Sequence, residues 1–206
     1  MLIQLEPTSW TFTLIVVGGY LIGSIPFGLL LTKTAGAGDI RDIGSGNIGA
    51  TNVLRTGRRG LAAATLLLDG GKGALAVWIG AMMAIPQAVE VGGLVAGAGA
   101  VLGHNFPIWL RFQGGKGVAT TLGMMLGAVP IVGAMASVTW IAMAIIFRYS
   151  SLAALIALAV APLFALLLGM TNPALMFLAL AVLGWVRHWA NIGRLLKGEE
   201  PQIGGS

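Results

Sequence analysis

Apolar residues in this chain run in long unbroken blocks, separated by short segments rich in glycine, asparagine and basic side chains. The blocks cover about 11–32, 60–85, 88–104, 117–129, 131–147, 151–169 and 174–189, most of them close to the roughly 20 residues an α-helix needs to cross a hydrocarbon layer of about 30 Å. The prediction is all-α: a polytopic integral membrane helix bundle of about seven transmembrane helices, with residues 1–206 as a single domain. Residues 117–147 taken as one helix would run about 46 Å, too long for one crossing, and Pro130 stands where a break is needed. Two short helices are therefore expected there, the first incomplete as a span. The block Phe12–Leu31 has no basic segment before it and exceeds the core of a signal peptide, so it reads as a retained helix.

Composition agrees with a lipid-facing protein. The chain is 57% hydrophobic and 9% charged, against about 25% charge in soluble domains. Its 12 basic and 7 acidic residues cannot cover the surface of a water-soluble core. With no cysteine and two histidines, disulfides and thiolate metal sites are excluded, and neither a protein-held metal nor a cofactor is expected. The net charge of +5 would suggest nucleic acid in a soluble protein; here it has a topological use, and no nucleic-acid partner is expected. Placing the N-terminus outside and the C-terminus in the cytoplasm gathers Lys33, Arg41, Arg55, Arg58, Arg59, Arg111, Lys116, Arg148, Arg187, Arg194 and Lys197 on the inner side. The outer loops then carry Glu6 and Glu90 and no base. Fusing 117–147 into one helix would move Arg148 and the C-terminal bases to the wrong side.

The polar segments all fall on that inner face. In I-G-S-G-N-I-G-A-T-N-V-L-R, residues 43–55, the side chains of Ser45, Asn47, Thr51 and Asn52 supply hydroxyls and amides, the glycines leave backbone N–H groups approachable, and Arg55 adds a fixed cation. This is chemistry suited to holding phosphate. A second segment, residues 104–117, ends in Gly114, Gly115, Lys116 and Gly117 just ahead of a helix, where the dipole favours an anion. His104 and Asn105 read as groups that orient this loop, with Phe106 and Pro107 marking a packed turn. The third segment is the tail from Arg187, in which Glu199 and Glu200 read as solvated, at most one of them pairing with a base. Inside the second block, Asp69 and Lys72 stand i, i+3 on one helix face at a depth where ionisable groups pair or face the bundle interior, and Lys72 is assigned to the substrate cleft. G-G-K-G occurs at 70–73 and again at 114–117, a candidate internal repeat. Gly92, Gly93, Gly97 and Gly99 read as close helix packing.

Taken together, G-S-I-P-F-G at 23–28, G-S-G-N-I-G-A-T-N-V-L-R at 44–55, L-D-G-G-K-G at 68–73, G-H-N-F-P at 103–107, F-Q-G-G-K-G-V-A-T at 112–120 and H-W-A-N-I-G-R-L-L-K-G-E-E-P at 188–201 resemble the bacterial acyl-phosphate:glycerol-3-phosphate acyltransferase family (PlsY). The resemblance spans nearly the whole chain in the right order. It implies a multi-pass enzyme of the bacterial inner membrane with its active site at the cytoplasmic face. Such an enzyme moves a fatty acyl group from acyl phosphate to the 1-hydroxyl of glycerol 3-phosphate, making lysophosphatidic acid for phospholipid synthesis. Acyl-CoA and acyl carrier protein are not implied as direct donors. The resemblance makes Ser45 and Arg55 necessary for activity, links Gly114 to Gly117 to glycerol 3-phosphate, and gives His188 and Asn191 a part in catalysis.

The residue types suit that reaction. An acyl phosphate is a mixed anhydride whose carbonyl is already activated, so direct attack by the glycerol hydroxyl is expected without a covalent acyl-enzyme. Two phosphorylated substrates need cations and N–H donors around them, which gives Arg55 and Lys116 a purpose beyond topology. Ser45 and Asn47 would orient the reacting groups or donate to the developing oxyanion. His188 or a substrate phosphate would accept the hydroxyl proton. The acyl chain would lie among helices or membrane lipid. The competing functions are a small anion transporter, with Asp69 and Lys72 as its pathway, and another lipid-phosphate transferase.

Overall fold

The computed structural model describes residues 10–204. The outer-side Glu6 lies outside the described residues, as do Gly205 and Ser206 of a loose end expected over 204–206, whereas Gly204 stands in a turn with φ +73°. The helices are α1 (Trp10–Gly23), α2 (Phe27–Thr34), α3 (Ala50–Leu54), α4 (Arg59–Met83), α5 (Val89–Asn105), α6 (Val118–Ala128), α7 (Pro130–Phe147), α8 (Ser150–Leu167), α9 (Thr171–Arg187) and α10 (Trp189–Lys197). No strand occurs among the described residues. Contacts divide the chain into two compact units, Met1–Ala128 and Val129–Ser206, a division of which the apolar pattern carries no sign.

Many large apolar side chains on the helices face outward, while several polar ones are buried among them. Leu67, Trp78 and Met82 on α4, Ile145 on α7 and Leu167 on α8 are exposed, while Asp69, Lys72, His104 and Asn105 are buried. Five segments are long and apolar enough to cross a membrane: Trp10–Thr34, Arg59–Met83, Pro86–Leu110, Pro130–Phe147 and Ser150–Leu167. A sixth is obtained if α9 and α10, bent by 62°, count as one, and α6 is a shorter apolar helix. Each of the seven apolar blocks thus contains a helix. Helix α6 stops at Ala128 and Pro130 opens α7, so residues 117–147 are two helices as expected.

In the first unit α5 packs on α1 and α4, and α4 packs on α6. Small residues set these approaches. A Cβ on Gly19 would strike the Ala96 carbonyl and one on Gly23 the Ala100 carbonyl, so α1 and α5 touch backbone to backbone. The first crossing is broken before Pro26, which leaves the Ile25 carbonyl outside the helix ladder. Lys72 Nζ reaches across from α4 and donates to that oxygen at 2.8 Å. Below the loop between α2 and α4, Leu29, Ile40, Ile48, Val53 and Ala62 form a buried apolar cluster, with Ile43, Leu61 and Leu110 packed against it.

In the second unit α8 packs against both α7 and α9. The expectation of one apolar helix over 174–189 is corrected at its end: α9 stops at Arg187, and Asn191 belongs to α10. The tail then folds back. Ile203 N–H donates to the Arg148 carbonyl at 2.6 Å. Glu200 Oε1 accepts from Ser151 Oγ at 2.7 Å and from Asn191 Nδ2 at 2.5 Å, and Oε2 accepts from Arg194 Nε at 2.7 Å. Glu199 is exposed as expected, but Glu200 is only 9% exposed. Burial pushes the Glu200 carboxyl up, yet the donors Ser151, Asn191 and Arg194 outweigh it and hold the group below its ordinary value.

Two outcomes follow from this packing. Gly19→Leu or Gly23→Leu should destabilise the purified protein in detergent by about 2 kcal/mol or more, because the new side chain meets backbone. Gly18→Ala, with nothing within 4 Å, should leave the melting temperature unchanged or slightly raised. A carboxylate whose pKa is depressed by folding contributes stability above its unfolded pKa and loses it as pH falls through the folded one. Glu200→Gln should therefore melt earlier than the parent at neutral pH, with the difference shrinking below roughly pH 4.

Candidate active site

The first loop is organised by one buried amide. Asn52 Nδ2 donates to the carbonyls of Ile40 at 2.9 Å, Ile43 at 2.9 Å and Asn47 at 2.8 Å. Its Oδ1 accepts from Ser45 N–H at 3.1 Å and from an Arg55 guanidinium N–H at 3.2 Å. Ser45 and Arg55, ten positions apart in the chain, are thereby fastened to the same oxygen. Gly44 is obligatory here: its φ is +55°, and a Cβ would run into Asn52 Oδ1 at 2.6 Å and Arg55 Cδ at 2.7 Å. Asn47 Oδ1 closes a local turn by accepting from Gly49 N–H at 3.0 Å. Ser45, Thr51 and Arg55 are exposed, and Asn47 is half-buried.

Beside this loop, Asp39 clamps Lys33 at 3.1 Å and Arg41 at 2.6 Å. The Arg41 guanidinium holds the Asp39 carboxyl well below the usual carboxylate range. Arg58 donates to the Ala35 carbonyl. The bases Lys33, Arg41 and Arg58 are therefore committed to shaping the loop.

The second loop reaches the first through Leu110, which packs on the cluster beneath it. Gly115 N–H donates to the His104 carbonyl at 3.0 Å. A Cβ on Gly114 would collide with that carbonyl, and one on Gly115 with the His104 ring. Gly117 has φ +77° and faces Asn105 Oδ1. His104 and Asn105 thus shape the loop, as expected, while Lys116 is half-buried just before α6. The other G-G-K-G lies within the unbroken helix α4. The two copies have different conformations.

Lys72 and Asn52, both assigned to substrate on sequence, sit elsewhere than expected. Lys72 is 3% exposed and Asn52 is 2% exposed. Lys72 Nζ contacts Asp69 Oδ1 at 2.7 Å, the Ile25 carbonyl at 2.8 Å and His104 Nδ1 at 3.0 Å. Each residue spends its polar atoms on protein groups and supports a loop from behind.

In the second unit His188 stands at the bend between α9 and α10. Its Nδ1 lies 2.7 Å from the Gly184 carbonyl. A carbonyl only accepts, so Nδ1 carries a proton. Asn191 is held by Glu200, the tail acid that pairs with a base, Arg194, as expected, but is buried rather than solvated. The signal available was the acid of G-E-E-P close after Asn191 and Arg194, but its burial arises only when the tail returns to Ser151.

A family profile described as glycerol-3-phosphate acyltransferase matches residues 13–198. A glycerol-3-phosphate acyltransferase of Rhodospirillum rubrum is 59% identical over 192 residues, covering 91% of this chain and 89% of the relative. One of Paramagnetospirillum magneticum is 62% identical over 189 residues, covering 92% of each. Among solved structures, the crystal structure of PlsY, an integral membrane glycerol 3-phosphate acyltransferase in its glycerol 3-phosphate form, superposes with a TM-score of 0.84 at 36% identity. That alignment covers 93% of this chain and 95% of the other. With a membrane helix fold and polar loops built around the motif residues, the chain belongs to the glycerol-3-phosphate acyltransferase family of integral membrane proteins.

Proposed function

We propose that this protein transfers a fatty acyl group from acyl phosphate to the 1-hydroxyl of glycerol 3-phosphate, giving lysophosphatidic acid at the cytoplasmic face of the bacterial inner membrane. Related PlsY structures in glycerol 3-phosphate and lysophosphatidic acid forms support this acceptor and product. The single observation that carries the site is the shared Asn52 oxygen, which holds the Ser45 backbone N–H and the Arg55 guanidinium side by side. Such a pair suits a phosphoryl group next to a reacting carbonyl. Lys116, ahead of α6, is the second cation and takes the phosphate of glycerol 3-phosphate with Gly114, Gly115 and Gly117. Thr51 and the Asn47 amide NH2 contribute further donors, while Asn52 and Lys72 act through the loops they hold.

Transfer is direct. The glycerol oxygen attacks the acyl carbon, the bond from that carbon to the phosphate oxygen breaks, and phosphate leaves with the electron pair. The hydroxyl proton goes to His188 or to a substrate phosphate. Asn191, anchored to Glu200, steadies the segment around His188. An activated donor explains why no covalent Ser45 intermediate is needed, and neither acyl-CoA nor acyl carrier protein serves as donor. About seven spans, with the N-terminus outside and the C-terminus in the cytoplasm, keep the basic loops on the inner face. A transport pathway through Asp69 and Lys72 is disfavoured, since both are buried and capped by Ile25 and His104.

The test is an assay of purified protein with synthetic acyl phosphate and glycerol 3-phosphate. Acylated product is expected with this donor and none with acyl-CoA; product from acyl-CoA alone would refute the donor assignment. Ser45→Ala and Arg55→Ala should lose most turnover, whereas Lys116→Ala should chiefly raise KM for glycerol 3-phosphate, by about tenfold or more. Asn52→Leu, which touches no substrate in this scheme, should lower kcat by about a hundredfold through misplacement of Ser45 and Arg55. Near-normal turnover of Asn52→Leu would remove the clamp from the mechanism.

A further inference from the structure

Behind the glycine-lysine loop lies a buried chain of polar groups whose hydrogen-bond directions can be worked out from valence. Lys72 Nζ has three neighbours at bonding distance: Asp69 Oδ1 at 2.7 Å, the Ile25 carbonyl at 2.8 Å and His104 Nδ1 at 3.0 Å. A carboxylate and a carbonyl can only accept, which uses two N–H bonds of the lysine. Asp69 needs one counter-charge and both Lys72 and His104 stand beside it; the amine, by about four pKa units the stronger base, keeps the proton over the imidazole, so Lys72 is an ammonium and its third N–H goes to His104. Nδ1 of His104 is 3.6 Å from Asp69 Oδ1, beyond hydrogen-bond range, so it is not donating there. The ring is therefore neutral, with its lone pair on Nδ1 and its proton on Nε2. That Nε2 edge is turned toward Gly115, where it is the first atom an added Cβ would meet.

We infer that His104 is a positioning residue for the Gly114–Gly117 loop, locked by the Asp69–Lys72 pair in the tautomer that turns an N–H, not a lone pair, toward an anion-binding segment. The inference deepens the reading of this loop as the glycerol 3-phosphate site and rests on that reading for its effect on KM. The opposite tautomer would aim electron density at the loop and weaken its hold on a phosphate. The same lock explains an ion pair kept inside a span: its charge is neutral overall, but its third hydrogen bond sets the direction of the histidine.

Since the chain has 2 histidines, uniform ¹⁵N-histidine labelling reads the tautomer directly. The spectrum of the unmodified protein in detergent at neutral pH should contain a ring with unprotonated Nδ1 and protonated Nε2, retained in His188→Gln. A protonated Nδ1 on His104 would overturn the inference whatever the activity. Kinetics supply the second reading, because a glutamine amide places its NH2 near the Nε2 position and an asparagine amide places its own near Nδ1. His104→Gln should keep KM for glycerol 3-phosphate within about threefold, and His104→Asn should raise it about tenfold with a smaller fall in kcat. Equal KM values in the two variants would also overturn it. If the unmodified protein makes no acylated product, the functional reading fails while the spectrum still decides the tautomer.

Discussion

A polar group inside a lipid-facing protein must find its partner within the protein, and this constraint organises the whole chain. The clearest case is the Lys72 ammonium, which closes three gaps at once: the charge of Asp69, the carbonyl released where Pro26 breaks the first crossing, and the ring of His104. Without it, the Asp69 carboxylate would lack its counter-charge within apolar surroundings, at a cost on the order of several kcal/mol, and the Ile25 carbonyl would keep only the Phe27 N–H. The broken first crossing and the charged second one are thus one device.

The same arrangement recurs at the two other polar segments. Asn52 ties the carbonyls of Ile40, Ile43 and Asn47 to the Ser45 amide and the Arg55 guanidinium. Glu200 collects Ser151, Asn191 and Arg194. In each case a single side chain with several donor or acceptor positions replaces the water that would solvate a loop in a soluble protein. Residues suited to chemistry then sit one step from these hubs: Ser45 and Arg55 from Asn52, Gly115 from His104, and Asn191 from Glu200. Loops braced in this way can present their polar groups in place before a ligand arrives.

Much of this was legible in the sequence because the apolar blocks are long and the polar loops are chemically conspicuous. The helix break at Pro130, the close packing at glycines and the buried pairing of Asp69 with Lys72 all follow from residue type and spacing. What escaped was direction. Asn52 and Asn47 look alike in a polar loop, and only the packing of Ile40, Ile48 and Val53 beneath turns one amide inward. The two G-G-K-G segments are identical letters, yet one continues an apolar helix and the other follows the turn at Phe106 and Pro107. The bend at His188 has neither glycine nor proline beside it to announce it, and the burial of Glu200 depends on a tail contact far along the chain from Ser151.

The central claim is that the two polar loops are set by internal hubs before any ligand binds. Hydrogen exchange of the backbone amides over residues 40–55 and 114–117, with and without glycerol 3-phosphate, tests it most directly. The expected result is that the Ser45 and Gly115 amides are already protected in the free protein and change little on binding. Rapid exchange at both amides, converted to protection only when ligand is added, would contradict it.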